Sequence, residues 1–172
     1  NGWPPARSRI RSRASFGSAG LSVAVAGAAG TGAYNARGYQ IASGLSLVWS
    51  ATIGAVTVMA LRTDGRNLYA AEGSNAYCIS WADGGVLATA NNLGIFAPTY
   101  QWLAVDQGGV YVLATDGSTA AYVQRLALGT CSIVWQAPVA SVNQLGIATD
   151  GARVWSANTT GGSAKGILAF AR

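Results

Sequence analysis

Leu61-Arg-Thr-Asp-Gly-Arg-Asn-Leu-Tyr69, Leu103-Ala-Val-Asp-Gln-Gly-Gly-Val-Tyr111 and Ile147-Ala-Thr-Asp-Gly-Ala-Arg-Val-Trp155 are one line written three times. Each begins on an aliphatic residue, reaches an aspartate with glycine one or two positions on, and ends on Leu or Val before an aromatic ring. Glycine adopts backbone conformations that other residues resist, and aspartate hydrogen-bonds the backbone of its own turn. Each line therefore reads as strand, tight turn, strand. Asp64, Asp106 and Asp150 recur at roughly 43 residues, a length that accommodates four short antiparallel strands.

The unit at 101–136 shows the plan most clearly. Leu103–Val105 is a short apolar strand and Asp106–Gly109 a turn. Val110–Leu113 is a run apolar on both faces, and Asp116-Gly117 signals a second turn. Ala121–Leu126 alternates, Gly129 turns the chain again, and Ser132–Trp135 is the fourth strand. Residues 58–92 repeat this plan. Residues 145–172 repeat three strands of it, ending with Gly166–Ala171. A degenerate unit occupies 9–50: Leu47-Val-Trp49 matches Ile133-Val-Trp135, Leu21–Ala26 takes the second-strand place and Tyr39–Ala42 the third. Its first strand falls in Ile10–Phe16, where arginine and serine replace aliphatics. Residues 1–8 read as a basic tail.

A lone four-stranded sheet is marginal in water and leaves its edges open. Repeated sheets arranged around an axis bury each face on the next and leave only short outer edges. The predicted fold is therefore all-β, a β-propeller of four-stranded antiparallel blades with about four units visible. The degenerate first unit and the short last one suggest an arc of a larger ring; the alternative is a closed four-bladed propeller in which Arg7–Phe16 pairs beside Gly166–Ala171. The opening on Asn1 suggests a fragment or processed product.

The pattern aliphatic-Ala-x-Asp-Gly, then Val-Tyr or Val-Trp, then Gly and Trp, resembles bacterial β-propeller repeats of the NHL, YVTN and quinoprotein-like kinds. Ile147–Asn158 is most similar to the YVTN and NHL style, and Leu103–Trp135 to the quinoprotein style. The resemblance covers 58–172 well and 9–50 loosely. It implies a platform that serves many activities, and a bacterial envelope, periplasmic or extracellular location.

Composition narrows the chemistry. The 172 residues include 11 basic and 6 acidic side chains and no histidine, for a net charge of +5. Arg7, Arg9, Arg11 and Arg13 supply most of that excess, and the rest of the chain carries about +1. No aromatic is interleaved with these arginines, as a stacking platform for nucleic acid requires, so they read as a solvated strand or terminus and no specific nucleic-acid site is expected. Without histidine there is no Ser-His-Asp or Cys-His nucleophile and no histidine metal ligand. Asp64, Asp106 and Asp150 read as turn formers rather than acid–base residues. As a ring of equivalent carboxylates they stand too far apart to share one cation readily. Quinoprotein enzymes use adjacent cysteines, which are missing, and a calcium-binding acid, for which acids are too few. No catalytic residue, metal or cofactor is expected. Cys78 and Cys131 lie in different repeats at non-equivalent positions, which favours two buried thiols over a disulfide. No segment is long and apolar enough for a transmembrane helix, and residues 1–20 lack the apolar run of a signal peptide.

The tryptophans are the remaining candidates. Trp49 and Trp135 are expected between blades, and Trp81 and Trp155 within strands. Trp102 departs from the repeat, since Ala60 and Gly146 stand in its place. Trp102, with Tyr100 and Gln101 beside it, is the expected ligand or partner site. The sequence thus points to a non-enzymatic scaffold that binds a protein or other macromolecule. Its alternatives are a carbohydrate-binding propeller and a non-catalytic piece of a larger propeller enzyme. Association through open blade edges is a further expectation.

Overall fold

The computed structural model describes residues 22–26, 36–40, 46–53, 60–72, 74–91, 99–115, 121–139, 144–159 and 165–171. The basic tail, the Ile10–Phe16 strand and the Asp116-Gly117 turn lie outside the described residues. Within them the regular structure is entirely β, as the short apolar runs between glycine turns require. The first sheet holds β1 (Ser22–Ala26), β2 (Ala36–Gln40) and β3 (Ser46–Ala51). The second holds β4 (Ala60–Thr63), β5 (Asn67–Glu72), β6 (Asn75–Ser80) and β7 (Val86–Ala90). The third holds β8 (Thr99–Asp106), β9 (Gly109–Thr115), β10 (Ala121–Leu126) and β11 (Ile133–Val139). The fourth holds β12 (Gln144–Thr149), β13 (Arg153–Thr159) and β14 (Lys165–Ala171). Every pairing is antiparallel and joins neighbours in sequence, so each sheet is a meander.

Most strands begin within a residue or so of the sequence reading. Three begin earlier: β2 at Ala36, β8 at Thr99 and β12 at Gln144. In β8 and β12 the cause is an irregularity. Register slips between Tyr100 and Trp102, and between Gln144 and Gly146, and pairing resumes beyond the slip. An extra residue is invisible to a search for strict alternation.

The sheets stack face to face. β9 is buried along its whole length because both of its faces are covered. Val110, Val112 and Ala114 pack on Tyr69, Ala71, Ala76 and Cys78 of the second sheet. Tyr111 and Leu113 face the other way, onto Val154 of the fourth. β5 divides in the same manner: Tyr69 and Ala71 face the third sheet, while Leu68 and Ala70 join Ala36, Trp49 and Ile53 of the first. Three inter-sheet cores therefore hold four sheets in series. Burying both faces of a middle strand is what its unbroken apolar run demands, at about 25 cal/mol for each Å² of apolar surface removed from water. The first strands β4, β8 and β12 lie side by side at the inner edge. β7 and β11 form the outer edges of their sheets.

Trp49 locks the first core. Its ring lies against Gly38 in its own sheet and Gly84 in the β6–β7 turn of the next. A Cβ at either position would come within 2.3 and 2.5 Å of the ring. The indole N–H donates to the Trp81 carbonyl at 3.0 Å.

Candidate functional site

The repeated aspartates sit at the turns between the first two strands of the second, third and fourth sheets. Asp64 Oδ1 accepts the backbone N–H groups of Arg66 and Asn67, each at 2.8 Å, and its Oδ2 accepts the Tyr69 hydroxyl at 2.8 Å. Asp150 repeats the arrangement. Its Oδ1 accepts from Ala152 and Arg153 at 2.9 and 2.7 Å, and its Oδ2 from Trp155 Nε1 at 3.1 Å. These donors hold the Asp150 carboxyl below the usual aspartate range, the backbone N–H of Ala152 first among them. The aromatic five residues after the aspartate thus closes the turn with its polar tip.

Asp106 differs. It pairs with Gly109, which leaves a tighter two-residue turn, and its Oδ1 accepts the Gly108 N–H at 2.6 Å and the Tyr111 hydroxyl at 3.4 Å. Its Oδ2 accepts the hydroxyl of Thr149 from the next sheet. A second polar link joins sheets two and three, where the Gly129 N–H donates to the Tyr69 hydroxyl oxygen at 3.1 Å. Burial, helped by the nearby Asp64 carboxylate, pushes the Tyr69 hydroxyl well above the ordinary phenol range. It stays a neutral donor to Asp64.

Between these turns lies a cleft of about 660 Å³, lined by the Asp64 turn, the Asp106 turn and Leu128-Gly129. Its two carboxylates already hold their turns together, which leaves little acceptor capacity for a ligand. Among the described residues no group of three or more Asp, Glu or Cys side chains converges as a metal site would need.

Trp102 stands on the inner strand β8 and is 42% exposed. Gln101 is the residue skipped by the bulge, and Tyr100 precedes it. The backbone of both belongs to β8; their side chains lie outside the described residues. The fourth sheet has the same slip, with Gly146 in the place of Trp102. A Cβ built on Gly146 meets nothing within 4 Å, so this inner-strand position opens on free space. The other described tryptophans are more enclosed. Trp135 tilts against Tyr111 with ring centroids 6.5 Å apart. Trp81 packs on the first core. Trp155 carries the Arg153 guanidinium 5.9 Å from its ring centroid.

A second set of bulges lies on the outer strands. Pairing jumps from Tyr39↔Leu47 to Gly38↔Trp49, from Ile79↔Val86 to Cys78↔Ala88, and from Leu126↔Ile133 to Arg125↔Trp135. The skipped residues are Val48, Leu87 and Val134, exposed by 55, 55 and 51%. The outer edge therefore presents a bulged aliphatic side chain at the same structural position in each of the first three sheets. Sequence reasoning missed them because Leu47-Val48, Val86-Leu87 and Ile133-Val134 pass for strand core. The available signal was two adjacent aliphatics where strict alternation permits only one inward.

No protein-family model and no curated protein sequence matches the chain. Solved structures do. The computationally designed Ika4 protein superposes with a TM-score of 0.63 at 14% identity, over 79% of this chain and 78% of that one. The β-propeller domain of Myceliophteria thermophila Cps50 (Swd1) gives 0.57 at 12% identity, over 87% of this chain and 53% of that one. BamB from Moraxella catarrhalis gives 0.55 at 14% identity, over 79% of this chain and 39% of that one. The chain has the β-propeller fold. It spans about half or less of the two natural propellers, and at these identities the likeness concerns fold alone. The stacked sheets are accordingly propeller blades.

Proposed function

We propose that this propeller is a non-enzymatic scaffold that binds another protein along its outer edge. The observation that supports this reading is the repetition of Val48, Leu87 and Val134 at one bulge position in three blades. A bulge interrupts strand pairing and re-aims a side chain. Interrupted pairing disfavours open-ended strand addition, while the aliphatic row supplies apolar contact to a folded partner. A non-catalytic role fits a chain with no histidine whose repeated aspartates are engaged in turns. The low charge of the chain and the resemblance of its repeats support an envelope or extracellular setting.

A photo-crosslinking residue placed at Leu87 or Val134 in the source cells tests the reading. The expected result is a discrete protein adduct. Its purified complex should be lost with the triple change Val48→Lys, Leu87→Lys, Val134→Lys, with the β circular-dichroism signature unchanged. The exposed Trp102 favours a second reading, a carbohydrate site, since an open indole face can stack on a sugar ring. Glycan-array binding abolished by Trp102→Ala, with no protein adduct at the outer edge, would establish that alternative and reject the first.

A further inference from the structure

The second interface is built like the first, with different side chains. Gly38 and Cys78 occupy equivalent positions, since each pairs with the residue just beyond the outer-strand bulge, Trp49 and Ala88 respectively. Gly84 and Cys131 are also equivalent. The Gly84 N–H donates to the Ser80 carbonyl and the Ser80 N–H to the Gly85 carbonyl, at 3.0 and 2.8 Å. The Cys131 N–H donates to the Ala127 carbonyl and the Ala127 N–H to the Ser132 carbonyl, at the same two distances. In the first interface a tryptophan ring fills the space between two glycines. In the second the ring is gone, Ala88 stands in its place, and two cysteines replace the glycines.

Two further observations single out this pair. Cys131 is the one non-glycine with positive φ among the described residues, at 53°, where its counterpart Gly84 has 75°. A side chain there costs on the order of 1 kcal/mol, and such outliers persist where the surroundings fix them. Both cysteines are buried in the same inter-blade core. The two side chains are close enough for each to influence the other's ionisation.

We propose that Cys78 and Cys131 are a modification site, a dithiol that closes to a disulfide and staples two successive blades where the first interface uses a tryptophan. The oxidant is a small-molecule disulfide of the glutathione class. One cysteine thiolate attacks it, forming a mixed disulfide and releasing one glutathione thiolate. The second cysteine sulfur then displaces the other. Two cysteine thiols and one glutathione disulfide become one protein disulfide and two glutathione thiols, which carry away both protons. In the folded protein, burial pushes the Cys131 thiol up to about 12 and raises that of Cys78. Exchange therefore belongs to folding or transient opening, and the closed bond is protected once formed.

The full chain, refolded in buffers of increasing glutathione disulfide to thiol ratio, tests this. The two thiols should disappear together in the monomer, with loss of two hydrogens by mass and one linked peptide pair spanning the second and third blades. The bond closes a loop of about 50 residues, so the oxidised form should melt on the order of 10 °C above the reduced form. Cys78→Ser should abolish the redox dependence of the midpoint. The triple change Cys78→Gly, Ala88→Trp, Cys131→Gly, which rebuilds the first interface's wedge, should give a folded protein indifferent to glutathione. Two free thiols after refolding in glutathione disulfide alone, or linkage only between chains, would overturn the proposal. The wild-type thiol count stands whether or not either variant folds.

Discussion

At the scale of single residues, Gly84 and Gly151 separate two costs that usually arrive together. Both have positive φ, at 75° and 86°. A Cβ on Gly151 meets open space, whereas one on Gly84 comes within 2.5 Å of the Trp49 ring. Gly151→Ala should therefore cost only the backbone term, about 1–2 kcal/mol. Gly84→Ala should add an overpacking penalty of about 1–3 kcal/mol. Urea unfolding of the two variants measures the difference. Asp150 offers a pH test. Its carboxyl is held low, so its turn contributes fully above the ordinary aspartate value near pH ~4 and loses that contribution as pH falls through the depressed folded value. Carbon-detected NMR titration should place the Asp150 midpoint below that of the unfolded chain, and Trp155→Phe, which removes one donor, should move it upward. Asp64 and Asp150 are recognisable in the sequence because Asp-Gly turns have local chemistry, and Asp106 because Gly108-Gly109 follows it closely and it recurs at the same spacing. The Thr149 hydroxyl on Asp106 was not, because it comes from the neighbouring blade, and no local rule reports what lies across an interface.

Strands obeyed their sequence where alternation is simple and departed from it at bulges. β9 and β10 lie where their apolar runs place them, while β8 and β12 extend beyond a slip at Gln101 and Leu145. Bulges hide from periodicity because they add one residue without changing composition. For the same reason Trp102 was legible as an exception to the repeat, whereas Val48, Leu87 and Val134 were not. The pair Cys78 and Cys131 was legible only as two non-equivalent cysteines; that they meet follows from how blades stack. The outer-strand bulge residues bear on partners rather than on folding. Leu87→Lys and Val134→Lys should each change unfolding free energy by less than about 0.5 kcal/mol, as for other exposed positions. Val112→Ala, in a strand buried on both faces, should cost about 1–3 kcal/mol through lost burial and a new cavity. Equal costs at the three positions, measured by chemical denaturation, would place the bulge side chains inside a core.

For the whole molecule, stability is a property of the interfaces between successive blades rather than of any one sheet. Trp49 between Gly38 and Gly84 secures the first, the Tyr69–Gly129 link and the two cysteines the second, and the Asp106–Thr149 link the third. The roughly 43-residue repeat made this series of sheets readable from sequence, since each repeat leaves apolar faces that only a neighbour can cover. Native-state hydrogen exchange, followed by mass spectrometry or NMR, tests this stacking most directly. Amides of β5, β6, β9 and β10 should exchange only with global unfolding, because neighbouring blades cover both faces of these strands, while amides at the outer bulges of β3, β7 and β11 should exchange far faster. Exchange in β9 as rapid as in β11 would contradict the stacked-blade account.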